Sequence, residues 1–251
     1  MKRLIIFAQL LLLACLGIGQ SGDFYIKEFS IHLPNIDNDN YAIVQDEAGR
    51  MRIANRKGIL KFDGTFWGIT HTPGTVFSIK NDSIAKTTYV GCINDFGYIK
   101  VDHTGHESYK SLAEGHKEAK NVAKIDVLGD YVYFLAENAL FQYSKPQALI
   151  TKVYKGHITN TYILNNELYA CYGSDSIVNM TMGKKVVVKN LPSSQLVFTT
   201  PVNSRTVLLG TADNHLYTLT GSAFTKLKLH DSTYIQNYEL LDAIIIGRET
   251  A

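Results

Sequence analysis

One sequence pattern recurs along this chain: a short apolar run, a polar turn and a return strand, seen first in Met51–Phe62. When one equivalent residue is taken from each copy, successive copies lie 37, 44, 37, 38 and 37 residues apart. The residues compared are Ala54, Gly91, Leu135, Tyr172, Gly210 and Gly247. A period of this length with strand signals in every unit is typical of solenoids, propellers and arrays.

Each copy contains four strand-like segments. In the first copy the pattern predicts strands at Ala42–Gln45, Met51–Ala54, Ile59–Phe62 and Thr65–Trp67. The second segment of a copy is continuously apolar, which predicts a buried strand, and the third alternates, which predicts a strand nearer the rim. Four antiparallel strands in each ~40-residue unit predict the blade of a β-propeller.

The full count predicts about five blades and an incomplete sixth, which Ile244–Ala251 begins. We therefore expect an open or truncated ring over residues 20–251. The competing architecture is a long β-sandwich, which has no reason to repeat its turn chemistry at a fixed interval. Lys110–Asn121 explains the longer 44-residue step and predicts a polar helix or loop on one rim. Lys184 and Lys185 are predicted to form a hairpin turn.

The first 19 residues predict a secretory signal peptide. Lys2 and Arg3 precede an apolar run from Leu4 to Leu16, and small residues follow. A membrane anchor needs about 20 apolar residues, which is longer than this run. Leu12–Cys15 also loosely resembles a lipobox, so a lipid anchor remains an alternative. Either route predicts an exported protein, periplasmic or extracellular.

Charge and cysteine content narrow the function classes. Residues 20–251 contain 23 basic and 23 acidic residues, without the basic surplus of a nucleic-acid-binding protein. Cys92 and Cys171 lie at similar positions of the second and fourth copies, too far apart in a radial repeat for a disulfide. Both are predicted to be small buried apolar residues.

The first two copies resemble a known family. Gln45, Asp46, Gly49, Gly58, the Asp63–Trp67 segment and the Asn94–Tyr98 turn match the repeats of two-component regulator propellers of exported Bacteroidetes-type sensors. The resemblance implies a periplasmic sensing head, followed in that family by an immunoglobulin-like module, a membrane helix and an output domain. The sequence given contains none of the last three, so we expect a sensor portion truncated before them.

Short motifs that suggest chemistry each have a simpler structural interpretation. Asp95-Phe96-Gly97 spells a kinase metal motif, but the other kinase motifs do not accompany it. His103 and His106 are too few for a zinc site, and Asp37–Asn40 lacks the rest of a calcium loop. The sequence also lacks the sialidase Asp-box and the G-x-S-x-G elbow. We therefore predict no catalytic residues, no metal and no cofactor, and structural turns or loops at these motifs.

The sequence thus predicts a non-catalytic, ligand-sensing propeller that binds at its axial mouth or rim. The alternatives are a stand-alone exported binding propeller and a propeller-type glycan-processing enzyme. No residue selects the ligand, for which the resemblance suggests a glycan; a homodimer is a further candidate assembly. Among the aromatic side chains, Trp67 and Tyr98 are the first to test for exposure.

Overall fold

The computed structural model describes residues 27–243, except residues 32, 173–175, 187, 189–191, 230–234 and 236–237. The chain divides into two compact units, Met1–His32 and Leu33–Ala251. The predicted signal peptide and the predicted sixth copy at Ile244–Ala251 both lie outside the described residues. Within the described residues, no helix is long and apolar enough to cross a membrane.

The described residues of the second unit form twenty strands in five four-stranded sheets, which we call blades 1 to 5. Blades 1 and 2 consist of β1 (Asn40–Gln45), β2 (Met51–Asn55), β3 (Gly58–Phe62), β4 (Trp67–Thr70), β5 (Val76–Asp82), β6 (Thr87–Cys92), β7 (Asp95–Val101) and β8 (Glu107–Ser111). Blades 3 and 4 consist of β9 (Lys124–Leu128), β10 (Tyr131–Ala136), β11 (Ala139–Ser144), β12 (Leu149–Lys155), β13 (Asn160–Leu164), β14 (Glu167–Tyr172), β15 (Ser176–Asn179) and β16 (Lys184–Val186). Blade 5 consists of β17 (Leu196–Pro201), β18 (Thr206–Thr211), β19 (Leu216–Thr220) and β20 (Ala223–Lys226).

Every blade is an antiparallel meander in sequence order. The first strand of each blade lies against the first strand of the next, as expected of propeller blades around an axis. Side-chain bonds reinforce these contacts: Ser78 Oγ donates to Val122 O at 2.8 Å, and Asn160 Nδ2 donates to Val197 O at 3.0 Å. The predicted all-β propeller with five four-stranded blades is confirmed.

The turns between strands explain why polar residues and glycines recur at regular positions in the repeat. In the first turn of blade 1, Asp46 Oδ1 accepts hydrogen bonds from the backbone N–H groups of Ala48 and Arg50, each at 3.0 Å. Gly49 closes this turn with a φ of 80°, in the left-handed region that glycine adopts most easily. In the second turn of blade 2, between β6 and β7, Asn94 has a φ of 58°.

Layers of apolar side chains between successive blades form the core. Between blades 2 and 3, Phe96 stacks on Phe134 with ring centroids 4.5 Å apart, and both rings are fully buried. Cys92 and Cys171 are free thiols in two different apolar clusters, which confirms their predicted role as small buried residues. Burial raises the pKa of each thiol to about 12, so both remain protonated at neutral pH.

Four local predictions needed adjustment. The fourth strand of blade 1 begins at Trp67, because Asp63 Oδ1 caps the preceding turn by accepting from the N–H groups of Thr65 and Phe66. Lys184 and Lys185 lie in β16, not in a turn. In blades 1 and 3 the third strand is as buried as the second, whereas in blades 2 and 5 the third strand is more exposed, as predicted. Lys110 and Ser111 of the insertion belong to β8, and residues 112–121 form a loop, one of the two predicted forms, in which Ala113 and Ala119 are buried.

Candidate ligand-binding cleft

The two aromatic residues singled out from the sequence for exposure take part in packing. Trp67 is half-buried and stacks on Phe62 with centroids 4.5 Å apart. Tyr98 is half-buried and meets Tyr89 edge-on. Neither ring is presented as an open binding platform, so these two residues do not mark the site.

The short motifs also lie in structural roles. Phe96 of the Asp95–Gly97 segment is a fully buried core residue at the start of β7. His103 and His106 are exposed in the turn after β7, where Asp102 Oδ1 accepts from the His106 N–H at 3.0 Å. The described part of the chain contains no group of three or more His, Cys, Asp or Glu residues that could hold a metal ion.

The Asp37–Asn40 segment is tied to the turn of blade 1. Asn55 Nδ2 donates to Asp37 O at 2.7 Å, to Asp39 O at 3.2 Å and to Asn40 Oδ1 at 2.8 Å. The segment is therefore a polar loop, as predicted.

The axial side of blades 3 to 5 is held together by Lys124. Its ammonium group donates to Asn160 Oδ1 at 2.8 Å, to Thr199 Oγ1 at 2.9 Å and to the backbone oxygen of Thr161. Burial lowers the pKa of Lys124, although the nearby Asp126 opposes this shift. Because the three ammonium hydrogens already have acceptors on β13 and β17, Lys124 links three blades and offers no free donor to a ligand.

Charged side chains occupy one part of the interface between blades 1 and 2, beside an apolar cluster that includes Ala54 and Val90. Arg52 binds Glu107 through two hydrogen bonds, of 2.9 and 3.0 Å, and Asp46 Oδ2 at 3.1 Å. The side chains of Arg52, Asp46 and Glu107 are 3%, 2% and 4% exposed. Arg50 and Lys61 add cations at the edge of this group. We call these five residues the ion cluster; both of its buried carboxylates are paired with its cations.

The interface between blades 3 and 4, in contrast, contains two cavities. The outer cavity, of about 400 Å³, runs along β15 and is lined by Tyr154, Tyr172, Ser176, Val178, Met180 and Gly183. The inner cavity, of about 430 Å³, opens at the turns of the two blades and is lined by Leu128, Gly129, Asp130, Tyr131, Tyr133, Gln142, Asn166, Met180 and Thr181. Met180 lines both, so we treat them as one feature, the blade 3–4 cleft.

The sequence of β15 explains why the cleft stays open on one side. Ile177 and Asn179 are buried, and Ile177 packs in the apolar cluster shared with blade 5. Successive side chains of a strand point to opposite faces, so Ser176 and Val178 face away from blade 5. Both are small and only half-buried, which leaves unfilled space towards Tyr154 of blade 3.

Hydrogen bonds fix the polar groups at the wall of the cleft. Gln142 Nε2 donates to the Tyr133 hydroxyl at 2.8 Å, and Tyr172 Oη donates to Met180 Sδ at 3.4 Å. Burial raises the pKa of Tyr172 to about 12, so this hydroxyl is neutral at physiological pH. The cleft combines aromatic rings with a few oriented polar groups, the usual composition of a small-molecule site.

This cleft was not predicted from the sequence. Strand position alone predicts core packing for Tyr133, Tyr154 and Tyr172, and this is correct for Tyr133 at 8% exposure. A usable signal was present in β15 and the residue after it, where the less buried side chains of Ser176, Val178 and Met180 alternate with the buried Ile177 and Asn179. Recognising it requires knowing which blade each face of β15 meets.

Comparison with known proteins supports the fold and goes no further. No protein-family model and no curated protein matches the sequence. The structure resembles the extracellular domain of a protein described as a one-component system from B. thetaiotaomicron, at a TM-score of 0.58 and 18% identity over 74% of this chain and 27% of that chain. The chain therefore spans about a quarter of that domain.

Two further solved structures show how widely this architecture is used. The WD40 propeller domain of Doa1 has a TM-score of 0.56 and 13% identity over 75% of this chain and 67% of that chain. A streptogramin B lyase has a TM-score of 0.63 and 15% identity over 82% of this chain and 74% of that chain. At such identities the likeness establishes a β-propeller, and function has to be argued from the site.

Proposed function

We propose that this chain is the ligand-binding portion of an exported sensor protein and that its ligand occupies the blade 3–4 cleft. The observation that carries the proposal is an unfilled, tyrosine-lined space between blades 3 and 4. The likeness to the extracellular domain of a bacterial one-component system supports the sensor role, as do the repeat motifs of blades 1 and 2.

The proposed mechanism uses the packing between blades. A ligand in the cleft contacts Tyr133 and Tyr154 on blade 3 and Val178 on blade 4, so it binds best when the two blades hold one particular spacing. Binding then favours that spacing by the difference in affinity between the two arrangements. Lys124 joins blades 3, 4 and 5, and it would transmit the change to the axial side.

The proposal includes no catalytic step. A glycosidase needs two carboxyl groups about 5–10 Å apart at the scissile bond. Among the described residues that line the cleft, Asp130 is the single carboxylate. One structural neighbour is a lyase, and this likeness favours the enzyme alternative. Incubating the protein with a bound ligand and searching for reaction products by mass spectrometry tests that alternative.

A thermal-shift screen of the chain without residues 1–19 tests the proposal. Neutral glycans, the class implied by the resemblance, are screened first and small metabolites second. Hits are then measured with Val178→Trp, which fills the outer cavity, and with Val153→Trp, the matched change on the exposed side of β12. We expect Val178→Trp to abolish the shift and Val153→Trp to retain it. Hits that survive Val178→Trp would place the ligand elsewhere.

The sensor role and the rival stand-alone role differ in the segments that the gene encodes after the propeller. A reading frame that continues past Ala251 into a membrane helix and an output domain supports the sensor. Secretion of a soluble propeller that ends at this point supports the stand-alone binding protein. Amino-terminal sequencing of the exported protein also tests removal of residues 1–19 and distinguishes it from lipid attachment at Cys15.

A further inference from the structure

The two halves of the blade 3–4 cleft differ in chemistry. The outer cavity is walled mainly by tyrosine rings, Val178 and Met180, whereas the inner cavity carries amide, hydroxyl and backbone groups. We propose that the cleft takes an elongated, uncharged amphipathic ligand, with an apolar ring or chain in the outer cavity and a hydroxylated end in the inner cavity. This inference rests on the proposed function only in taking the cleft as the ligand site.

The outer cavity is suited to an apolar group. Tyr154 and Tyr172 meet edge-on with centroids 4.9 Å apart, and this geometry leaves ring surface facing the cavity. The Tyr172 hydroxyl already donates to Met180 Sδ, so the ring, not the hydroxyl, is the part that a ligand meets. Thioether sulfur and aromatic rings make favourable contacts with apolar and aromatic groups.

The inner cavity is suited to a hydroxylated group. Gln142 uses its amide N–H to bind the Tyr133 hydroxyl, which leaves Gln142 Oε1 as an acceptor and the Tyr133 proton as a donor within the described residues. The Asn166 side chain adds one donor group and one acceptor. A ligand hydroxyl can both donate and accept, so it can satisfy Gln142 and Tyr133 together.

The charge of the lining excludes anionic ligands. The described residues of the two cavities include one carboxylate, Asp130, and no Lys, Arg or His. A carboxylate or phosphate entering the inner cavity would lose hydration without gaining a cationic partner. Asp130 itself is exposed, so water screens its attraction for a cation and a cationic end gains little.

Methionine NMR provides a direct test, because residues 20–251 contain only Met51, Met180 and Met182. The chain without residues 1–19 is labelled at the methionine methyl carbons and titrated with 3-phenyl-1-propanol, with 3-phenylpropionate and with propylbenzene. We expect the alcohol to shift the Met180 signal and to leave Met51, in blade 1, unchanged. We expect at least tenfold weaker binding of the carboxylate.

Two variants separate the halves of the cleft. Gln142→Ala should weaken the alcohol at least threefold and leave propylbenzene unchanged, because propylbenzene has no hydroxyl. Val178→Trp should abolish both titrations, with Val153→Trp as the matched control. If Val178→Trp does not fold, Ser176→Phe fills the same cavity from the neighbouring position on β15.

The possible results have distinct meanings. Equal binding of alcohol and carboxylate, or a Met180 signal that no probe moves, would overturn the amphipathic-ligand inference. If the probes give either of these results while a glycan from the thermal screen loses its shift in Val178→Trp, this inference fails and the proposed function stands. At least threefold weaker binding of 3-phenyl-1-propanol to Gln142→Ala, with propylbenzene binding unchanged, would support the inference.

Discussion

Two interfaces of the propeller, between blades 1 and 2 and between blades 3 and 4, differ in the side chain at one equivalent position of the repeat. The first has a charged residue there, and the second has a tyrosine. Arg52 lies two residues before Ala54, and Tyr133 lies two residues before the equivalent Leu135. Each pairs across to the next strand, Arg52 with Lys61 and Tyr133 with Gln142.

Blade 2 supplies Glu107 to neutralise Arg52, whereas Tyr133 packs in an apolar cluster with Leu168 of blade 4 and borders a cavity. The same backbone arrangement therefore forms either the filled interface of blades 1 and 2, which we call the closed joint, or the blade 3–4 cleft. The side chains at this position determine which of the two forms.

The largest expected effect comes from breaking the closed joint. Arg52→Met keeps a long side chain but leaves the buried carboxylates of Asp46 and Glu107 with only the partly exposed Arg50 and Lys61. Removing one partner of a buried ion pair costs about 3–5 kcal/mol. We expect urea denaturation to show a loss of this size. Tyr133→Met, at the same repeat position of the open cleft, is the control and should cost less.

The second prediction concerns the acid sensitivity of the ion cluster. Burial alone would raise the pKa of Glu107, but the hydrogen bonds and charge of Arg52 outweigh it, and the pKa lies below its usual range. The stability from this lowered pKa is present above the unfolded value of about 4.3 and is lost as pH falls further.

Glu107→Gln should therefore be about 1–3 kcal/mol less stable at pH 7, and its stability should fall less steeply below about pH 4. Denaturation curves collected at several pH values check both parts. If the difference in unfolding free energy between wild type and Glu107→Gln stays constant down to about pH 3, the role given to this carboxylate is contradicted.

The third prediction compares a small-to-large change in each joint. Ala54 is fully buried between blades 1 and 2, so Ala54→Phe overpacks the joint and should cost about 1–3 kcal/mol or more. Val178→Phe places its ring in a cavity of about 400 Å³ and should change stability by less than about 1 kcal/mol. Equal destabilisation by the two changes would show that the cleft is not open in solution.

The sequence predicts those features of the fold that depend on local chemistry. The turn at Asp46 and Gly49 can be read from the chain, because an Asp that caps and a Gly at positive φ act within four residues. The start of β4 was misplaced because the Asp63 turn extends through Phe66, which the apolar pattern of Phe66 and Trp67 hides.

The cleft and the ion cluster depend on contacts between distant parts of the chain. Arg52 and Glu107 are 55 residues apart, and nothing near Arg52 indicates that a carboxylate faces it. Tyr154 and Val178 come from outer strands of different blades, and their separation depends on how closely those blades pack. The period of the repeat predicts the number of blades. It does not predict which side chains of two successive blades meet at their interface.

Hydrogen–deuterium exchange by mass spectrometry tests the contrast between the closed joint and the open cleft most directly, because it compares the two in one native sample. We expect slow exchange in β2 and β3, beside the ion cluster, and faster exchange in β15 and β16, beside the cleft, with ligand slowing exchange in β15 selectively. Equal protection of the two regions, or a ligand that protects β2 and leaves β15 unchanged, would contradict it.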